Sequence, residues 1–251
     1  MMLHPTCDKL RELGFFGMLK GLEEQLSVPD YQDLTFEERL GLLIDREATV
    51  RDDRRTKTRL RQAKLRQDAL VENIDYRHKR GLDKSAFLAL TNCEWIQRHE
   101  NCIITGPTGC GKTFLACALG NKACREGLSA LYLRLPRLFE RVVVAKCEGT
   151  YERLLKDFAR RDVLILDDWG ITPLTDENRR DLLEIMDDRH GNRSTIVTSQ
   201  LPPTEWHAYI GDPTLADAIL DRLIHNAHRF ELSGESIRKE QSSLTRKTRK
   251  G

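Results

Sequence analysis

A glycine-rich stretch constrains the fold of this chain more than any other feature. Residues 106–113 match the phosphate-loop pattern Gly-x-x-x-x-Gly-Lys-Thr in full. The apolar residues 102–105 before the loop are typical of a buried strand, and the residues from Phe114 onward are typical of a helix. A turn from strand into helix leaves unpaired backbone N–H groups at the positive end of the helix dipole, where they bind phosphate. We therefore expect the chain to bind a nucleoside triphosphate, since a ligand-free glycine turn rarely has this context.

The loop residues have separable roles in phosphate binding. The glycines let the backbone curve around a phosphate chain without clashes of Cβ atoms. The Lys112 ammonium would reach the β- and γ-phosphates, and the Thr113 hydroxyl would bind Mg²⁺. The predicted nucleotide-binding residues are Gly106, Pro107, Thr108, Gly109, Cys110, Gly111, Lys112, Thr113 and Phe114.

Two adjacent carboxylates follow another apolar run, at residues 163–166. Asp167 would hold the Mg²⁺ shell, and Asp168 would polarise the attacking water. An apolar run followed by two aspartates often only ends a strand, but here a complete phosphate loop precedes it. A second acid beside the magnesium ligand favours hydrolysis by activated water over phosphoryl transfer to a metabolite.

From about Leu82 onward, apolar runs alternate with helical patterns, which predicts a parallel α/β sheet. The fold class expected is α/β, a P-loop ATPase core with a five-stranded parallel sheet between helices, preceded by a small all-α domain. An extra strand would lie between the loop strand and the magnesium strand. The predicted strands are residues 102–105, 130–133, 163–166, 195–198 and 229–232.

The polar end of the fourth predicted strand offers groups that would orient the attacking water. Thr198, Ser199 and Gln200 are the three candidates, and the pattern does not choose between them. We assign Ser199 to the catalytic set. A simple cap on the end of the strand is an equally good interpretation of these residues.

Two arginines are further candidates for the catalytic set. Arg222 lies in a helical pattern and would reach a neighbouring subunit's nucleotide as an arginine finger. The alternative is a surface ion pair with Asp217 or Asp221. Arg238 would contact the γ-phosphate from its own chain, or it has no part in the site. If Arg222 acts on a neighbouring subunit, turnover requires assembly.

The first part of the chain is predicted to be helical. Leucines recur at helical spacing from residue 10 to residue 26, and residues 35–38 form a capping box that starts a second helix. Because no glycine or proline intervenes between Leu42 and Asn73, we expect a continuous helix of about 30 residues. The predicted domains are residues 1–75, a helical domain for DNA binding and self-assembly; residues 76–240, the ATPase domain; and residues 241–251, a basic disordered tail.

Basic charge is concentrated in two places, although the net charge of the chain is only +2. One is the run from residue 51 to residue 66, and the other lies between residues 238 and 250. Such clusters indicate a polyanionic partner, and the scarcity of aromatic residues in the first run favours duplex DNA over stacked single strands. A solvated, ion-paired helix surface is the alternative. The predicted DNA-binding residues are Arg51, Arg54, Arg55, Lys57, Arg59, Arg61 and Lys64.

Composition excludes several other classes of protein. No apolar stretch has the length of a membrane helix, and the N-terminus lacks the apolar core of a signal peptide, so we expect a cytoplasmic protein. The seven cysteines contain no Cys-x-x-Cys pair and are expected to be reduced. His4 and Cys7 have a ligand-like spacing but no second pair, which argues against a structural metal site.

Five segments of the chain resemble the IstB family, ATPases encoded beside the transposase of a large class of bacterial insertion sequences. One is the loop with its helix, Gly-Pro-Thr-Gly-Cys-Gly-Lys-Thr-Phe-Leu-Ala-Cys-Ala-Leu-Gly, and another is Leu-Asp-Asp-Trp-Gly at residues 166–170. The others are residues 132–138, 196–202 and 220–223. The resemblance covers nearly the whole chain. The family belongs to the AAA+ class and is similar to the helicase loaders DnaC and DnaI and to the initiator DnaA.

The resemblance implies a transposition helper that uses ATP and Mg²⁺. Such a protein self-assembles with ATP on duplex DNA, largely without regard to sequence, and it shapes the target duplex and recruits and stimulates the transposase, IstA. The family's roles fall here on Lys112, Thr113, Asp167 and Asp168, with Arg222 in the finger-bearing segment. Arg238 then lies in the final sensor segment. Many AAA+ proteins have Glu where this chain has Asp168, and the shorter acid is expected to slow hydrolysis.

Two rival functions share parts of this pattern. A helicase loader has the same ATPase core, with N-terminal helices that bind a hexameric helicase instead of DNA. Binding to duplex would separate the two. A small-molecule kinase also has a phosphate loop, but it gains nothing from the adjacent Asp167 and Asp168 or from the basic run.

Overall fold

The computed structural model describes residues 5–78 and 80–234 of the chain. Arg238, His4 and the predicted tail therefore lie outside the described residues. The chain divides into two compact units, residues 1–58 and residues 59–251. Within the described residues, no helix combines the length and the apolar character that a membrane span requires.

Helices make up the first unit, as predicted, but they are more numerous than expected. Instead of one helix over residues 10–26 there are two, α1 (Pro5–Glu12) and α2 (Phe16–Ser27). The break falls at Gly14, whose φ of +74° lies in the left-handed region that glycine adopts readily. A short 3₁₀ helix, Pro29–Asp33, follows.

The long helix α3 (Phe36–Ala63) begins at the predicted capping box. The Thr35 backbone N–H donates to Glu38 at 2.8 Å, and the Glu38 backbone N–H donates to the Thr35 hydroxyl at 3.3 Å, which confirms the box. The helix contains 28 residues and ends ten residues before Asn73. It stops because Lys64 has a φ of +51°, outside the right-handed helical region.

Glycines allow α2 to lie directly against the backbone of α3 in the first unit. A Cβ atom at Gly17 would lie 2.6 Å from Glu47 Cα, and one at Gly21 would lie 2.7 Å from a methyl carbon of Leu43. The buried Glu47 carboxylate accepts hydrogen bonds from the backbone N–H groups of Gly17 at 2.7 Å and Met18 at 3.2 Å. These unpaired groups at the start of α2 are thereby satisfied.

The second unit is built on the predicted five-stranded parallel sheet, and the order of its strands is β2-β3-β4-β1-β5. The strands are β1 (Asn101–Thr105), β2 (Ala130–Arg134), β3 (Val163–Trp169), β4 (Ser194–Ser199) and β5 (Ala227–Glu231). The helices are α4 (Lys84–Ala89), α5 (Glu94–Gln97), α6 (Lys112–Arg125), α7 (Leu135–Cys147), α8 (Tyr151–Arg160), α9 (Asp176–Arg189), α10 (Trp206–Ile210) and α11 (Pro213–Ile224), with 3₁₀ turns at Val71–Asn73, Leu90–Asn92 and Pro203–Glu205.

The sheet is buried on both faces, which is why its strands are nearly continuous apolar runs. Alternate residues of β1 belong to different cores, with Ile104 on the α6 side and Ile103 on the α7 side. Ala63, Ala69 and Ile74 are buried in the α6-side core. The compact units therefore divide after Thr58, whereas we predicted a boundary after residue 75.

Candidate nucleotide-binding and catalytic site

The phosphate loop connects β1 to α6, as the motif predicts. Its three glycines have positive φ angles, which residues with a side chain rarely adopt. Gly106 has a φ of +139°, and a Cβ atom there would lie 2.3 Å from the Leu232 carbonyl oxygen. Gly109 and Gly111 have φ values of +87° and +97°, with Gly111 as the N-terminal cap of α6. The loop backbone thus curves in front of the helix, where a phosphate chain binds.

Two side chains of the loop form hydrogen bonds with the loop's own backbone. The Lys112 ammonium donates to the carbonyl oxygens of Gly106 at 2.6 Å and Pro107 at 2.8 Å. The buried Cys110 thiol donates to the Pro107 carbonyl at 2.9 Å, so this cysteine stabilises the shape of the loop. The contact of Lys112 with the β- and γ-phosphates stays a prediction.

Asp167 is the most buried carboxylate of the site, with 1% of the residue exposed. The Thr113 hydroxyl lies 3.0 and 3.1 Å from its two oxygens. The hydroxyls of Tyr132 and Thr198 also donate to it. This carboxylate stays in place because β3 lies between β2 and β4, whose side chains reach it from both sides.

These oxygen donors fit Mg²⁺. Thr113 and Asp167 supply a hydroxyl and a carboxylate at the mouth of the phosphate loop, and hard oxygen ligands are what Mg²⁺ prefers. Among residues 5–78 and 80–234 there is no group of three or more His, Cys, Asp or Glu side chains able to hold a metal ion. A magnesium ion here would therefore share its coordination with nucleotide phosphates and water, as is usual for Mg²⁺.

Asp168 occupies an unusual backbone conformation. Its φ is +64°, and the pairing of β3 with β4 shifts register between Leu166 and Trp169. Left-handed backbone is uncommon outside glycine and clusters at functional sites. The irregularity turns the Asp168 carboxylate out of the sheet into a partly exposed position, where a water molecule has access.

Two arginines that were not among the predicted catalytic residues contact the carboxylates of Asp167 and Asp168. Arg66 is 3.5 Å from Asp167 and 3.7 Å from Asp168, and Arg134 donates to Asp168. A hydrogen bond with the Tyr132 hydroxyl, together with the two carboxylates, raises the pKa of Arg66, and burial raises the pKa of Tyr132. Arg66 ended the basic run but was not among the predicted DNA-binding residues, and Arg134 belonged to a family segment. Nothing in the spacing indicated where either side chain lies.

At the end of β4, Thr198 and Gln200 form hydrogen bonds with other residues of the site, whereas the Ser199 hydroxyl does not. Thr198 contacts Asp167, and Gln200 accepts a hydrogen bond from the Thr108 hydroxyl at 2.7 Å. Ser199 instead donates to the Trp169 carbonyl at 2.9 Å and accepts from the Leu201 N–H at 3.0 Å. The geometry therefore favours the strand-end cap for Ser199, because its hydroxyl is engaged by backbone.

A cavity of about 500 Å³ opens beside the loop. One of its walls is the segment before α4, including Asn73, Asp75 and Arg80. Arg80, of which 5% is exposed, donates to the Cys110 carbonyl at 3.2 Å, and burial lowers its pKa. This arginine ties the wall of the cavity to the phosphate loop, a role that its place in a polar linker did not indicate.

Arg222, one of the two remaining catalytic candidates, is not at this site. Arg222 lies on α11 and is bound by the Asp187 carboxylate and the Ala218 carbonyl oxygen, the latter at 2.7 Å. It does not line the cavity beside the phosphate loop. It forms an ion pair, as the alternative interpretation expected, but with Asp187 instead of Asp217 or Asp221. Arg238 lies outside the described residues.

Most of the predicted DNA-binding residues are exposed, with one clear exception. Arg59 is half-buried and donates to the Cys124 carbonyl oxygen at 2.8 Å, so it contributes to the second unit's own packing. Arg51 and Arg54 lie over the rings of Phe15 and Phe16, at 4.9 and 4.7 Å from the ring centroids. The remaining exposed members of the set are Arg55, Lys57, Arg61 and Lys64.

Comparison with known proteins finds a family and relatives for this chain. The model of the IstB-like ATP binding protein family matches residues 8–245. The chain is 53% identical to an insertion sequence ATP-binding protein, y4pL of Sinorhizobium fredii, over 96% of this chain and 98% of the relative. It is 35% identical to the ATP-binding protein of insertion sequence IS21 from Pseudomonas aeruginosa, over 86% and 82% of the two chains.

Solved structures share the fold at low sequence identity. DnaI superposes with a TM-score of 0.57 at 20% identity, over 66% of this chain and 91% of that one. The DnaC helicase loader gives 0.52 at 21% identity, over 59% and 86%. The initiator DnaA, bound to AMPPCP and single-stranded DNA, gives 0.54 at 18% identity, over 68% and 52%. These likenesses establish the AAA+ P-loop fold.

Proposed function

Because the chain belongs to the IstB-like ATP-binding protein family, we propose that it is a Mg²⁺-dependent ATPase that assembles on duplex DNA and recruits and stimulates a transposase. The ATPase part is supported by one observation above all. Thr113 of the phosphate loop and Asp167 of β3 contact each other, with Asp168 next in the chain. This is the arrangement that phosphoryl transfer from a magnesium nucleotide to water requires.

Each side chain has a defined task in the proposed hydrolysis. Backbone N–H groups of the loop and Lys112 bind the phosphate chain, and Thr113 and Asp167 would hold Mg²⁺. Bound Mg²⁺ supplies positive charge that offsets the charge developing on the β- and γ-phosphates. Asp168 accepts a proton from the attacking water and so acts as general base. Thr198 keeps Asp167 in position by its hydrogen bond.

DNA binding and assembly are the further parts of the proposal. The exposed cations of α3 and the residues after it would neutralise backbone phosphates without reading base sequence. Arg222, held on the surface by Asp187, would exchange that carboxylate for the γ-phosphate of an adjacent subunit. Turnover then depends on assembly, and assembly depends on ATP and duplex.

The proposal that the chain recruits a transposase is supported by its sequence similarity to ATP-binding proteins of insertion sequences. The relatives compared above are named as insertion sequence ATP-binding proteins. A helicase loader is the second candidate, favoured by the fold shared with DnaI and DnaC. The two differ in their partner, because a loader binds a hexameric helicase and needs no duplex affinity of its own.

The first experiment measures particle size by light scattering, with and without a random duplex of about 50 base pairs, in ATP, ADP and no nucleotide. Large complexes that need both ATP and duplex would support the assembly proposal. Particles that stay small on duplex would contradict it and favour the helicase loader.

A second experiment mixes Arg222→Ala subunits with Lys112→Ala subunits and measures ATP hydrolysis. Each variant alone is expected to be inactive, the first for lack of a finger and the second for lack of bound nucleotide. A mixed interface pairs an intact Arg222 with an intact loop, so activity should return in part. Absence of any recovery would refute an arginine finger that acts on a neighbouring subunit.

A further inference from the structure

A second cavity, of about 210 Å³, lies at the amino ends of β1 and β4, away from the phosphate loop at their carboxyl ends. Of the residues that line it, only Arg222 has a part in the proposed ATPase cycle. We call it the basic cavity, because cationic and titratable nitrogen groups dominate its lining: Arg98, His99, Arg189, His190, Arg193 and Arg222.

Arg189 is the most buried of these residues, with 1% of the residue exposed. Its guanidinium donates to the carbonyl oxygens of Phe158 at 2.5 Å and Arg161 at 2.9 Å, to the Thr195 hydroxyl at 3.2 Å, and to the Ser194 carbonyl. None of these partners carries a negative charge. Burial, with repulsion from Arg193, lowers the pKa of Arg189 to about 9. A buried cation without an anion is costly, so an anion near it would be stabilising.

The carboxylates nearby are already engaged with other groups. Glu100 binds Arg98 at 2.9 Å, and Asp187 binds Arg222. Asp162 accepts hydrogen bonds from Ser129 at 2.7 and 2.8 Å and lies 3.8 Å from Arg193. None of these acids accepts a hydrogen bond from Arg189, and the charge of Asp162 offsets only part of the effect of burial on the pKa of Arg189.

Two side-chain nitrogen atoms in the wall of the basic cavity, Arg193 Nε and His99 Nδ1, are buried and make no hydrogen bond within the described residues, although Arg193 Nε lies 3.8 Å from an oxygen of Asp162. Buried polar atoms are rarely left unpaired, and unpaired ones indicate a missing ligand or water. The arginines supply planar N–H pairs that match the oxygens of phosphate.

We propose that the basic cavity binds a phosphate group through Arg189 and Arg193, with Arg98 at the entrance. The cavity volume lies below the roughly 300–1,000 Å³ typical of ligand pockets, so it suits a single phosphate better than a nucleotide. The phosphate has two possible sources, free inorganic phosphate or the backbone of duplex DNA. The DNA source rests on the proposed function, whereas the free-phosphate source is independent of it.

Calorimetric titration of inorganic phosphate into the full chain tests the site. The protein is first saturated with Mg²⁺ and ADP so that the phosphate loop is occupied, and chloride keeps the ionic strength constant. The test variants are Arg193→Gln and Arg98→Gln, the second because Arg98 is exposed and its loss leaves the core intact. Arg153→Gln is the matched control, since Arg153 is exposed and lies outside the cavity lining. Thermal unfolding confirms that each variant is folded.

Duplex binding is measured on the same variants over a range of salt concentrations. Phosphate binding that weakens about tenfold in Arg193→Gln but not in Arg153→Gln would support the site with free phosphate as its source. If free phosphate does not bind, duplex binding decides. A slope of log affinity against log salt that is smaller by about one in Arg193→Gln and in Arg98→Gln would support a backbone phosphate. If neither variant changes either kind of binding, the proposal is wrong. Because ATP hydrolysis is not a readout here, its absence would leave this test unaffected.

Discussion

The Thr113 hydroxyl lies 3.0 Å from one oxygen of Asp167 and 3.1 Å from the other, although 54 residues separate the two in the chain. Thr113 stands in the first turn of α6, and Asp167 near the end of β3. Parallel strands bring both to the same edge of the sheet. One hydrogen-bonded pair therefore joins the phosphate-binding element to the element that carries the proposed general base.

Asp168→Asn should lower the turnover number for ATP by about 10²-fold or more, because a general base contributes roughly 10²–10⁴. ATP affinity should change little, since the loop and Lys112 remain. Complexes with ATP and duplex should live longer, as hydrolysis releases them in the proposed cycle. Steady-state hydrolysis and dissociation rates from labelled duplex measure both effects, with the exposed Asp68→Asn as control. Faster dissociation of the variant would refute the cycle.

Arg66→Gln should lower the Mg²⁺ concentration needed for half-maximal hydrolysis. Arg66 carries a positive charge 3.5 Å from Asp167, and a neighbouring cation weakens binding of a second cation to the same carboxylate. The expected change is about two- to tenfold, as for interactions of roughly 0.5–1.4 kcal/mol in partly screened sites. Arg61→Gln is the control, since Arg61 is exposed and predicted to bind DNA. An unchanged Mg²⁺ dependence in Arg66→Gln would show that its charge does not act on the metal.

Changing Arg54, Lys57 and Arg61 together to Glu should weaken duplex binding and reduce its salt dependence. Each lost phosphate contact removes about one ion from the slope of log affinity against log salt, so the slope should fall by about three. Fluorescence anisotropy at several salt concentrations gives the slope. The control changes Arg137, Arg153 and Lys156, exposed cations of other helices, to Glu. Equal losses in both triple variants would mean that net charge, and not the α3 residues, determines affinity.

Two glycine substitutions should have opposite effects on stability. Gly41→Ala should stabilise the protein by about 0.5–1 kcal/mol, because Gly41 lies inside α3 and no atom is within 4 Å of an added Cβ. Gly17→Ala should destabilise it by about 1–3 kcal/mol, because the Cβ would lie 2.6 Å from Glu47 Cα. Denaturant unfolding measures both. A neutral Gly17→Ala would mean that α2 and α3 separate without cost.

Glu47 should make the first unit sensitive to acid. Burial opposes ionisation of its carboxyl group, but hydrogen bonds from Arg51 and from the N–H groups of Met18 and Gly17 outweigh burial and lower the pKa. As the pH falls below the ordinary glutamate pKa of about 4.3, the unfolded state binds more protons than the folded state. The free energy of unfolding therefore decreases as the pH decreases. The stabilisation is present above that value and is lost as pH falls through the lowered pKa.

Unfolding measured between about pH 6 and pH 3 checks this expectation. Glu47→Gln should flatten the acid limb of the stability curve, whereas Glu37→Gln, at an exposed position, should leave it unchanged. An acid limb that is the same in Glu47→Gln and in the unaltered protein would show that other carboxylates control acid unfolding.

The sequence by itself determined the elements whose causes are local. The phosphate loop, the five strands and the capping box at Thr35 each follow from neighbouring residues, and the structure has them close to the predicted places, with the largest shift three residues at the end of β3. Asp167 and Asp168 were equally predictable, because a carboxylate pair at the end of a strand keeps its place at the edge of the sheet.

Only the tertiary structure decided what surrounds those carboxylates. Arg66, Tyr132 and Thr198 come from three separate segments, and each reaches Asp167 through strand register and helix packing. The division after Thr58 and the burial of Arg59 have the same origin. A helical or basic pattern indicates which residues can be exposed, but the packing of distant segments determines which of them are. Charge pattern alone could therefore not distinguish a DNA contact from a contact with the catalytic carboxylates, since both require only an arginine.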